Sequence, residues 1–69
     1  MRFDIYGRYT LEVERQDDGW AVYRPDRGGR RRVFDFVIPS DLPDTEIATY
    51  LDDILHELAG LGAEIRRLD

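Results

Sequence analysis

Sixty-nine residues leave room for one hydrophobic core, so residues 1–69 are read as a single small domain. The sequence has no Cys, which excludes a disulfide staple and a thiolate metal site, and its formal net charge of -5 opposes long-range attraction to nucleic acid or an anionic membrane. No apolar run approaches the roughly 20 residues of a membrane span, and MRFDIYG lacks the apolar stretch of a secretory signal, so the expected compartment is the cytoplasm.

Along residues 3–13 the odd positions are Phe3, Ile5, Gly7, Tyr9, Leu11 and Val13, while the even ones are Asp4, Tyr6, Arg8, Thr10 and Glu12. This period of two predicts a strand over about residues 2–15 with one wet and one buried face, and Gly7 marks a bulge or bend. A tight hairpin at Gly7-Arg8 is the alternative. It would set Asp4 on the face of Leu11, so the unbroken strand is preferred. QDDGW carries an Asp-Gly turn signal, and a second strand follows over residues 20–25. The third is expected over residues 31–38, with Phe34, Phe36 and Ile38 on one face. Two registers compete. A two-residue Asp18-Gly19 loop and a three-residue Arg27-Gly28-Gly29 loop turn Trp20 and Val22 to the side of Leu11, Val13, Phe34 and Phe36. The other register turns Ala21 and Tyr23 inward. The first buries more apolar area, at about 25 cal/mol per Å², and is adopted.

Ile47, Tyr50, Leu51, Ile54, Leu55 and Leu58 fall at i, i+3, i+4, i+7, i+8 and i+11, which predicts an amphipathic helix over residues 44–59. Asp44 or Asp41 is placed to cap it, and Gly60 to end it with Leu61 folding back. Residues 63–69 are expected as a frayed tail, with a brief fourth strand using Ile65 or one more helical turn as alternatives. The fold class expected is α+β, a three-stranded antiparallel meander with one C-terminal helix on one face. Its other face, carrying Tyr6, Thr10, Val33 and Val37, is the expected protein-interaction surface.

RPDRGGRRR, residues 24–32, sets Arg24, Arg27, Arg30, Arg31 and Arg32 around Gly28-Gly29. Arginine forks suit phosphate, so these five form the candidate anion or nucleic-acid site. An internal use competes with it. A helix of fifteen residues covers roughly 22 Å, and seven strand steps cover roughly 24 Å. The helix end should therefore return beside the arginine tip, where its carbonyls, Asp53 and Glu57 would meet the arginines. In DDILHE, Asp52 and His56 share a helix face, as do Asp53 and Glu57; a solvated, ion-paired face is the expected use. No catalytic motif, cofactor fingerprint or metal spacing occurs, so no catalytic residue, cofactor or metal site is expected. Trp20 and the tyrosines Tyr6, Tyr9, Tyr23 and Tyr50 are read as core and cross-strand packing, not as base-stacking platforms.

FDIYGR, W-x-V-Y, VIPSDL and EIATYLDDILHELA together resemble a family of short bacterial proteins classed as a domain of unknown function. The resemblance spans nearly the whole chain and implies continuity of fold without a mechanism. A remoter likeness links VERQDDGWAVYRPD to the first hairpin of HicB-type antitoxins, which also carry a helix after the third strand. Their usual further strand is represented here by AEIRRLD alone, and their Pro-Gly-Cys segment is missing. That likeness would imply a small RNA-cleaving toxin as partner. The expected function is a non-enzymatic module that binds another protein or a second copy, with nucleic acid or another anion as the alternative ligand.

Overall fold

The structure, a computed structural model, describes residues 1–58, 60 and 62–69, with Leu58 as backbone alone. Five strands form one sheet: β1 (Arg2–Ile5), β2 (Tyr9–Gln16), β3 (Gly19–Asp26), β4 (Gly29–Arg32) and β5 (Ile65–Arg67). Their order is β4-β3-β2-β1-β5, with every neighbour antiparallel. The helix α1 (Ile47–Leu55) is flanked by 3-10 turns at Asp44–Glu46 and His56–Leu58 and lies on one face of the sheet. The class is α+β, but the expected three-stranded meander is corrected to a five-stranded sheet.

Three differences produce that correction. The expected first strand folds back on itself. Tyr6 and Gly7 both take positive φ (56° and 72°), the Arg8 N–H bonds to the Ile5 carbonyl (2.9 Å), and Ile5 pairs with Tyr9. A turn of three residues, Tyr6–Arg8, shifts the pairing by one from a two-residue Gly7-Arg8 loop. Phe3, not Asp4, then lies opposite Leu11, which removes the objection to a hairpin here. An unbroken strand over residues 2–15 would also span about 48 Å, against a longest molecular axis of 37 Å.

The second difference is at β4, which ends at Arg32 where a strand to residue 38 was expected. The turn before it holds two residues, Arg27 and Gly28 (φ 79°), where three were expected. Losing one turn residue inverts the faces that follow. Val33 turns toward the core and Phe34 turns away from it, 78% exposed. The chain then leaves the sheet, and Ile38 alone of the three expected inward residues is fully buried. The third difference is the tail, which is a strand and not frayed: Ile65 pairs with Ile5, Arg66 with Asp4 and Arg67 with Phe3. β5 thereby covers the backbone edge that β1 would otherwise expose.

The Trp20 side of the register is as expected, since Val22 lies opposite Val13 and Trp20 opposite Arg15. The turn itself is Asp17-Asp18 in place of Asp18-Gly19, and Gly19 opens β3 with φ 145°. A Cβ at Gly19 would meet Ser40 Cβ at 3.4 Å, so glycine lets the connector 33–43 pass close to the sheet. That connector is latched by side chains. Trp20 Nε1 donates to the Leu42 carbonyl (3.0 Å), and Arg15 lies over the indole (5.0 Å to the centroid) while donating to the Ser40 carbonyl (2.6 Å).

The core joins Phe3, Ile5, Leu11, Val13 and Val22 of the sheet to Ile38, Ile47 and Leu51. Burying each such side chain contributes about 1.5–3 kcal/mol. Pro43 is the N-cap of the 3-10 turn and Glu46 that of α1, neither with a capping side-chain bond, so the expected caps Asp44 and Asp41 are not used. Asp44 and Glu46 instead lie in the 3-10 turn that leads into α1, at the end of the helix where the dipole favours negative charge. The expected Gly60 cap and Leu61 fold-back involve Ala59 and Leu61, which lie outside the described residues. Ala63 N–H donates to the Gly60 carbonyl (3.0 Å), and Gly62 takes φ 79° as the chain turns into β5.

Candidate functional site

β2 and β3 stop pairing at Glu12–Tyr23, whereas β3 and β4 stay paired through Asp26–Gly29. Arg24 through Arg31 therefore form a two-stranded arm that runs past the paired part of β2. Pro25 fits this arm because its missing N–H would point toward β2, where the ladder has ended. All four β4 residues are exposed, and β4 is an edge strand. Val33 N–H bonds to the Val22 carbonyl (2.8 Å). Such pairs alternate along an antiparallel ladder, so Gly29 and Arg31 turn their backbone groups to β3 while Arg30 and Arg32 turn theirs outward.

The five candidate arginines occupy three environments. Arg30 lies on the sheet face away from α1, hydrogen-bonded to Glu12 (3.1 Å) and to both oxygens of Glu14, and stacked on Tyr23 (3.9 Å). Hydrogen bonding from Arg30 holds the Glu14 carboxyl below the usual range, and the same pairing pushes the Arg30 guanidinium up. Arg32 shares the Tyr23 ring (5.6 Å) and reaches Phe34 (5.3 Å), while Gln16 donates to the Tyr23 hydroxyl (3.2 Å). On the α1 face, Arg24 lies over Tyr9 (4.3 Å) and opposite Arg31. Arg27 sits at the tip. Among the described residues, Arg30 is the one arginine of the five whose guanidinium has a carboxylate within 4.0 Å, while the Arg27 backbone N–H donates to Asp26 Oδ1 (2.7 Å).

The partners expected from the helix end are therefore replaced by Glu12 and Glu14 of β2. The helix end does reach the root of the arm. Leu55 lines a cleft of about 400 Å³ together with Tyr9, Leu11, Arg24, Arg31, Val33 and Phe36. Arg32, Phe34 and Asp35 also line it, so its apolar residues are rimmed by three arginines and one carboxylate.

The expected interaction set is not brought together. Tyr6 is buried beneath α1, donating from its hydroxyl to Asp52 Oδ1 (2.5 Å), and Val33 packs against the core. Thr10 pairs with Asp4 on the far face, and Val37 is 77% exposed on the connector. That far face is charged, with Asp4 beside Arg66 and Arg30 between Glu12 and Glu14. Phe34 was missed as a surface residue because its face depends on the length of the Arg27-Gly28 turn.

In DDILHE, Asp52 is engaged by Tyr6, and His56 Nδ1 lies 2.9 Å from the Asp53 carbonyl. Among the described residues no three His, Cys, Asp or Glu side chains gather as a metal set, and no helix is long and apolar enough to cross a membrane. Residues 1–69 match a family described as a domain of unknown function (DUF7661). No curated protein and no solved structure matches the chain.

Proposed function

The chain belongs to this family of unknown function, which brings no assigned chemistry, and we propose that it is a non-enzymatic module that binds another protein along the open edge of β4. The carrying observation is the pair of outward-facing backbone units at Arg30 and Arg32 on an exposed edge strand. An extended segment laid there completes a ladder, giving affinity through main-chain bonds and selectivity through alternate side chains. A small toxin of the kind HicB-type domains bind would be one such partner; that likeness is confined to residues 13–26.

Proline substitution separates the edge from the fold. Arg32→Pro removes an outward N–H and spares the β3–β4 ladder, so its stability should change by about 0.5 kcal/mol or less. Arg31→Pro removes an inward N–H and should open the arm. Peptides selected from a displayed random library should protect the Arg32 amide from hydrogen exchange and lose binding to Arg32→Pro. Selected binders that ignore Arg32→Pro would remove the β4 edge as the docking surface.

Nucleic acid or phosphate on Arg24, Arg27, Arg31 and Arg32 is the second reading, favoured because, among the described residues, none of these four guanidinium groups is ion-paired. It predicts binding that falls steeply between about 50 and 200 mM salt.

A further inference from the structure

We infer that the segment docking on β4 is an acidic extended strand of a different protein, alternating carboxylates with apolar residues and seating one apolar side chain in the cleft beside Leu55. The inference rests on the edge reading above and specifies its ligand. A strand added to β4 presents its side chains alternately on the two sheet faces. On the α1 face they meet Arg31, with Arg24 behind it; on the far face they meet Arg32. Among the described residues, none of these three guanidinium groups has a carboxylate within 4.0 Å, and neither does that of Arg27 at the tip. With its apolar side chains on the α1 face, an alternating strand sets its carboxylates on the far face beside Arg32, where opposite charges stabilise cross-strand pairs and like charges oppose them.

The same logic disfavours a second copy. The sheet has two open edges, β4 and β5, and β5 carries Arg66 and Arg67. Pairing β4 with β4, or β4 with β5, would set arginine against arginine. Nucleic acid meets a different obstacle. The outward carbonyls of Arg30 and Arg32 need donors, and phosphate has none to offer, whereas a peptide backbone supplies both halves of the ladder. The cleft adds selectivity. Leu11, Val33, Phe36 and Leu55 give it an apolar floor, and its volume of about 400 Å³ lies at the lower end of ligand pockets. A side chain on the α1 face of the added strand, opposite Val33, points toward it. Exposed Phe34 reaches the rim of the cleft from the other face, and Asp35 adds one carboxylate to its wall.

The test uses short synthetic peptides of about seven residues, a common strand length. The first alternates Glu with Val around a central Phe. The second replaces Glu by Thr, the third replaces Val by Pro, and a single-stranded oligothymidylate of equal charge serves as the polyanion control. Fluorescence anisotropy should find the Glu/Val peptide bound about tenfold or more tighter than the other three. Arg32→Thr should remove that preference while leaving the Thr/Val peptide unaffected. If the Thr/Val peptide binds as tightly as the Glu/Val peptide, the acidic assignment fails and the edge reading stands. If the proline peptide or the oligonucleotide matches the Glu/Val peptide, the surface senses charge alone and both readings fail. Binding by none of the peptides removes the edge reading, and the acidic strand with it.

Discussion

Tyr6 concentrates several constraints in one side chain. Its backbone takes φ 56°, a left-handed conformation that non-glycine residues adopt at a cost, and its ring is buried beneath α1. Burial first, then the hydrogen bond to Asp52, pushes its phenol up to about 12. The fold therefore favours the neutral phenol. Its contribution is complete below about pH 10 and is lost as pH rises through about 12. Tyr6→Phe should cost about 1–2 kcal/mol in urea unfolding at neutral pH, through the lost bond to a carboxylate. The gap between variant and wild type should then narrow between about pH 10 and 12; a constant gap would show that Tyr6 does not titrate there. None of this was legible in the sequence. Period two assigned Tyr6 to the wet face, because the alternation cannot show that the chain reverses at that residue.

Turn length decides more of this architecture than strand propensity does. The apolar residues of the strands were readable, and so was the helix, whose Ile47 and Leu51 are buried as the spacing required. The turns were not, since Arg27-Gly28-Gly29 can close a hairpin with two residues or three, and each choice sends Phe34 to a different face. Glycine substitution tells the two turns apart. Gly28 holds φ 79°, Gly29 does not take positive φ, and a Cβ at either meets no atom within 4 Å. Gly28→Ala should therefore cost about 1 kcal/mol from backbone strain alone, with Gly29→Ala close to neutral or slightly stabilising. Equal losses in thermal unfolding would point to the three-residue loop. β5 was legible as one of several options for AEIRRLD, and its pairing with β1 could not be chosen without knowing that β1 ends at Ile5.

At the scale of the molecule, a chain of formal net charge -5 gathers arginines on both open edges of its sheet. Most of its acidic residues are divided between the inner strands and turns and the helix with its approach. Composition showed the arginine cluster, and the topology shows that it forms an edge. Edge-to-edge association should therefore be weak: light scattering should report a monomer across a concentration series. Arg31→Thr with Arg32→Thr should raise the tendency to associate by removing the mutual repulsion. Association of the wild type that strengthens at low salt would contradict this, since screening should relieve like-charge repulsion.

The latch on the connector has an optical consequence. Trp20 is the chain's one tryptophan, and its indole is tied to the Leu42 carbonyl beneath Arg15. The connector it holds also supplies Phe34 at the mouth of the cleft and Phe36 in its floor. Emission from this single chromophore thus monitors the seating of residues 33–43 apart from the melting of α1. A ligand that moves the cleft mouth should change it without any added dye.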